Sequence, residues 1–160
     1  MESDHRISKG NLKSKLDGVP IAWKDLLDIK NFSTTAGSVI YSNRKIALSD
    51  ANVIKKTKNA GMVCLGKLNL TELAYSGLGL NPHHGTPKNV SSDEIHYVPG
   101  GSSSGSGVSV ARNLVPCSIG TDTGGSVRVP ACFNGIVGFK TSEGRYNREG
   151  LSFLSRTLDT

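Results

Sequence analysis

Ser102 and Ser126 each stand in a glycine-rich loop, and Lys24 closes the apolar run Val19-Pro20-Ile21-Ala22-Trp23 upstream of both. The first loop reads Pro99-Gly100-Gly101-Ser102-Ser103-Ser104-Gly105-Ser106-Gly107, the second Gly120-Thr121-Asp122-Thr123-Gly124-Gly125-Ser126. A serine hydroxyl is a weak nucleophile until a neighbour takes its proton, and a neutral lysine is a sufficient base. Consecutive glycines let backbone approach a substrate closely and aim N–H groups at a developing oxyanion. Two such loops and a lysine delivered by an apolar run point to acyl transfer on an amide.

Other chemistries fit these residues less well. A phosphate-binding loop ends in Gly-Lys-Ser/Thr, and the first loop has no lysine. Gly101-Ser102-Ser103-Ser104-Gly105 matches the Gly-x-Ser-x-Gly elbow around Ser103, but that arrangement needs an acid and then a histidine downstream. His5, His83, His84 and His96 all precede it. The pair His83-His84 lacks a carboxylate or cysteine cluster with which to hold a metal, so a loop position accounts for it better. On spacing alone, Lys24 beside Asp25 reads as a surface pair worth ~0.2–1 kcal/mol. For Asp122 and Arg128, which flank Ser126, the expectation is a charge pair that holds the loop.

The elements that must position these residues alternate. Val19–Trp23 reads as a short buried strand delivering Lys24. Ser49 is the expected cap of a helix from Asp50 to Ala60, with Gly61 as its stop. Met62–Gly66 reads as a second strand. Asn69-Leu70-Thr71-Glu72 resembles a capping box opening a helix to Ser76, and 79–99 is an exposed loop rich in Asn, Pro, His and Gly. A helix over Ser106–Asn113 and a strand over Val115–Thr121 follow, then the second loop and the apolar segment Gly135–Phe139. This order predicts an α/β layer architecture. Residues 1–17 are polar and basic and read as a mobile lead-in to a domain over 18–160.

Apolar residues make up 36% of the 160 positions and glycine adds 19, enough for a folded domain rather than a disordered chain. The net charge of +6 reads as a solvated basic face. No Lys/Arg run is interleaved with aromatics, so composition does not argue for nucleic-acid binding. Cys64, Cys117 and Cys132 form no Cys-x-x-Cys and fit buried thiols in a reducing compartment. The first residues carry no apolar secretory segment and no run reaches membrane-spanning length, which makes the cytoplasm the expected location.

From about Asp17 to Thr160 the chain resembles the amidase signature hydrolases. The resemblance rests on Gly18-Val19-Pro20-Ile21-Ala22-Trp23-Lys24-Asp25, Thr34-Thr35-Ala36-Gly37-Ser38, both glycine loops, Gly135-Ile136-Val137-Gly138-Phe139-Lys140-Thr141 and Leu154-Ser155-Arg156-Thr157-Leu158-Asp159, in the family's order. It implies the family's α/β fold, partly represented, as a mixed twisted β-sheet flanked by helices, and a triad of Lys24, Ser102 (the serine preceded by a cis peptide bond) and Ser126, the nucleophile. The backbone N–H groups of Thr123, Gly124, Gly125 and Ser126 are the implied oxyanion hole. Ser103 and Ser104 are candidate substrate contacts, and neither a metal nor an organic cofactor is implied. Two kinds of member compete. One is a free-standing amidase acting on a small carboxamide. The other is the glutamine-hydrolysing A subunit of the Glu-tRNA(Gln)/Asp-tRNA(Asn) amidotransferase, with partner subunits and tRNA. Val129, where that protein often carries Gln, and Lys140-Thr141-Ser142-Glu143-Gly144-Arg145 lean toward the free amidases. Family members run much longer, so the resemblance also implies a domain truncated on its C-terminal side and leaves a non-catalytic binding remnant as a third reading.

Overall fold

The computed structural model describes residues 2–91 and 93–160, so Met1 of the expected lead-in and Ser92 of the expected loop lie outside the described residues. The apolar run becomes the central strand β1 (Pro20–Lys24), flanked by β2 (Val63–Leu68) and β3 (Cys117–Ile119) in the order β2-β1-β3. Together with the helices the strands give the expected α/β architecture; both pairings are parallel, where the expectation for the sheet itself was mixed. The reason lies in the connections: parallel neighbours require long crossovers, and α2 (Asn52–Asn59) and α3 (Ser104–Ala111) lie on them. One antiparallel bridge, Leu27 with Leu151, lies outside the sheet. The β1–β2 register slips between Ile21 and Ala22, so Cys64 faces Ile21 and Gly66 faces Ala22.

The main core gathers Ile21, Trp23, Leu27, Ile29, Ala51, Ile54 and Met62 between the sheet and α2. Trp23 donates its indole N–H to Cys64 Sγ at 3.0 Å, tying β1 to β2 through side chains as well as backbone. In α2, Ile54 turns inward and is wholly buried, a contribution of about 1.5–3 kcal/mol. Ser49 does not cap this helix. Ala51 occupies the cap position without a side-chain bond, its N–H donating to the Asp28 carbonyl, while Asp50 takes the Lys30 N–H and the Lys58 ammonium. Gly61, at φ +91°, follows the helix end as expected.

Two further expectations change. The lead-in contains a helix, α1 (Glu2–Ser8), which Arg6 pins to Asp17 through two hydrogen bonds of 2.8 Å. The capping-box segment gives only a single 3-10 turn over Glu72–Ala74. Tertiary acceptors explain this: Thr71 N–H donates to the Ser102 carbonyl, Leu73 N–H donates to the Ala36 carbonyl, and Leu73 and Ala74 take positive φ. The 79–99 segment is irregular as expected but firmly tied. Buried Asn81 donates to the Gly37 and Leu70 carbonyls, and buried Asn89 to those of Val98 and Phe133. After the second glycine loop the chain forms α4 (Arg128–Phe133), a helix the sequence pattern did not announce. Its Pro130 falls in the first turn, where the missing N–H costs no intrahelical bond.

Candidate active site

Lys24 is the last residue of β1 and is 0% exposed. Because β1 is the middle strand, both flanks of its end are walled by neighbouring chain, and the ammonium lies 2.7 Å from Ser102 Oγ and 2.9 Å from Thr121 Oγ1. Desolvation pushes its pKa down from 10.5 to about 7, against the opposing pull of the Asp159 and Asp122 carboxylates. Near neutrality the amine therefore exists in both forms. One donates to the hydroxyls, and the other offers a lone pair to a hydroxyl proton.

Ser102 is also fully buried, the peptide bond before it is cis, and its carbonyl accepts the Thr71 N–H at 3.0 Å. The glycines ahead of it permit close approach rather than flexibility. A Cβ on Gly101 would sit 2.6 Å from the Gly79 nitrogen, and one on Gly100 would sit 2.8 Å from Pro130 Cα. The loop then runs directly into α3, whose Gly105 N–H donates to the Asn69 carbonyl. A Cβ there would meet the Asn69 nitrogen at 2.7 Å, so the small residue sets how near α3 lies to the end of β2.

The second loop is organised by Asp122, which is buried and whose carboxylate accepts five hydrogen bonds. They come from the N–H groups of Gly125 (2.8 Å), Val127 (3.1 Å) and Arg128 (3.3 Å), and from Arg128 Nε (3.0 Å) and Nη2 (2.9 Å). Burial opposes its ionisation, yet Arg128 and these N–H groups outweigh burial and hold the carboxyl at about 2. The Asp122–Arg128 pair thus braces the turn that carries Ser126. Ser126 itself is half-buried, and its carbonyl accepts the Ser103 N–H at 3.1 Å, stitching the two glycine loops together.

This bracing distinguishes among the N–H groups of the implied oxyanion hole. The Gly125 N–H donates to Asp122 Oδ1 at 2.8 Å. Among the described residues, those of Thr123, Gly124 and Ser126 have no hydrogen-bond acceptor. Ser103 and Ser104 follow Ser102 into the interior. Both are fully buried, and Ser103 Oγ is engaged with the Thr121 backbone. The Ser104 hydroxyl is buried without a partner.

Two participants escaped the sequence reading. Thr121 supplies the second hydroxyl on Lys24, and its only signal was its place between β3 and Asp122. Buried Asp159, which accepts the Thr123 hydroxyl, lies in a stretch that carried the resemblance without any assigned role. His83 and His84 stay apart from all this: both N–H groups donate to the Asn81 side chain, and His83 Nε2 lies 3.5 Å from Glu72. Among the described residues no group of three or more His, Cys, Asp and Glu side chains is arranged to hold a metal ion, and no helix is long and apolar enough to cross a membrane.

The family model described as Amidase matches residues 1–160. The A subunit of the Glutamyl-tRNA(Gln) amidotransferase of Paraburkholderia phytofirmans is 44% identical over 144 residues, covering 90% of this chain and 28% of that protein. The native peptide amidase of Stenotrophomonas maltophilia superposes with a TM-score of 0.91 at 37% identity, over 99% of this chain and 33% of the other. The A subunit of the Thermotoga maritima Glutamyl-tRNA(Gln) amidotransferase superposes with a TM-score of 0.82 at 34% identity, over 99% and 38%. In each comparison the chain spans well under half the length of the protein it is similar to.

Proposed function

The chain belongs to the amidase family, and from that premise we propose that it cleaves the C–N bond of a linear amide through an acyl-enzyme on Ser126. The observation that carries this reading is the fully buried Lys24 amine, 2.7 Å from Ser102 Oγ with its pKa brought down to about 7. In the proposed step, neutral Lys24 takes the Ser102 proton as Ser102 takes that of Ser126. The Ser126 oxygen then adds to the amide carbon. The oxygen that gains charge is met by the free N–H groups of Thr123, Gly124 and Ser126, each such donor being worth about 10²–10³ in rate. The Lys24 ammonium returns its proton through Ser102 to the departing nitrogen, the C–N bond breaks, and water attacks the acyl-enzyme by the same relay.

The test is intact mass after exposure to a serine-directed fluorophosphonate. One adduct is expected, absent in Ser126→Ala and in Lys24→Ala. A folded chain that takes up no adduct overturns the reading and leaves a binding remnant. A second reading draws on the 44% identity to the Paraburkholderia amidotransferase protein: the amide is glutamine, and the ammonia released goes to partner subunits that act on tRNA. Hydrolysis of glutamine in preference to simple carboxamides favours that reading, and the reverse order favours the free amidase.

A further inference from the structure

A free backbone N–H stabilises an oxyanion only if its peptide is held still before the charge develops. In the second loop, Asp122 fixes the peptides of Gly125, Val127 and Arg128, and among the described residues its carboxylate takes no hydrogen bond from Thr123. The peptide that carries the Thr123 N–H is held from elsewhere. Its carbonyl, that of Asp122, accepts the N–H and the hydroxyl of Thr160, each at 3.2 Å, and the Asp122 N–H donates back to the Thr160 carbonyl at 3.2 Å. In a planar trans peptide the N–H points away from the carbonyl, so fixing this oxygen also fixes the direction of the free Thr123 N–H. On the other side of the same residue, the Thr123 hydroxyl donates to Asp159 Oδ1.

Asp159 is itself immobilised. It is 1% exposed, accepts the Leu154 and Ser155 N–H groups at 2.8 and 3.1 Å, and its carbonyl accepts Arg148 Nη1 at 2.8 Å. We propose that Asp159 is a positioning residue of the site: it grips the Thr123 hydroxyl and so presets the Thr123 N–H for the oxyanion formed at Ser126. This rests on the amide-hydrolysis reading above. The carboxylate also lies near enough to favour the charged form of Lys24, which couples the segment 154–160 to both halves of the site.

A double-variant cycle on the 160-residue chain tests it. The second-order rate of fluorophosphonate adduct formation is measured well below every variant's unfolding midpoint, so that lost stability does not enter the rate. Thr123→Val, which keeps the shape and removes the hydroxyl, is expected to react about 10–100-fold more slowly, and Thr123→Ser close to the parent rate. Asp159→Ala is expected to be at least as slow as Thr123→Val, and the double variant no slower than Asp159→Ala alone. On a carboxamide substrate, Thr123→Val should lower kcat and leave KM unchanged. Parent-like labelling of Thr123→Val, or losses that multiply in the double variant, would overturn the proposal while leaving the amide-hydrolysis reading intact. A parent chain that takes no adduct removes that reading and this inference together.

Discussion

At Lys24 two requirements oppose each other: burial is costly for an ammonium, and a base must shed its proton near neutral pH to be of use. With a folded-state pKa of about 7 against 10.5 for the ordinary side chain, the labelling rate of Ser126 should rise about tenfold per pH unit up to about 7 and level off above it. The stability consequence has a definite sign. Between about 7 and 10.5 the unfolded chain holds a proton on Lys24 that the folded chain lacks, so this residue makes stability increase with pH across that window. Below about 7 the fold carries a buried ammonium at a cost of a few kcal/mol. Lys24→Met should therefore abolish labelling, and its urea midpoint at pH 6 should be no lower than the parent's. On spacing alone Lys24 beside Asp25 reads as a surface pair; only the resemblance, joined to its place at the end of an apolar run, made this burial legible in the sequence. The hydroxyl of Thr121 and the capture of the Gly125 N–H by Asp122 were not legible, because both depend on how a loop folds back on itself.

The elements show the same divide. β1, β2 and the body of α2 follow from apolar runs and spacing, whereas α1 lies in a polar stretch and is held by the Arg6–Asp17 pair rather than by an apolar face. The failed helix at 69–76 had correct capping chemistry, but Ser102 and Ala36 compete for its N–H groups. Those competing contacts make the neighbouring glycines unequal. Gly79 has φ +86°, and a Cβ on it would lie 2.3 Å from the Gly100 carbonyl oxygen, whereas a Cβ on Gly77 would meet nothing within 4 Å. Gly79→Ala should cost about 1–3 kcal/mol by urea denaturation and slow labelling by displacing the Gly100–Ser102 backbone. Gly77→Ala should change neither measurement.

For the whole molecule, the sheet has three strands with β2 and β3 at its edges. Val137 (95%) and Phe139 (78%), in a segment that forms no strand, are exposed together with Leu48 and Leu65. Exposed edges and apolar side chains favour association. Val137→Lys combined with Phe139→Lys is expected to lower light scattering at a given concentration while leaving the Ser126 labelling rate unchanged; equal scattering would show that these side chains do not drive association. Trp23 gives the molecule a different asset. It is the chain's only tryptophan, it immediately precedes Lys24, and its indole is bonded to the Cys64 sulfur across the β1–β2 seam. A thiol at that range quenches indole emission. The chain thus carries a single tryptophan reporter at the centre of its sheet, and its emission on selective excitation is expected to rise as β1 and β2 part in urea, a rise that Cys64→Ala should diminish.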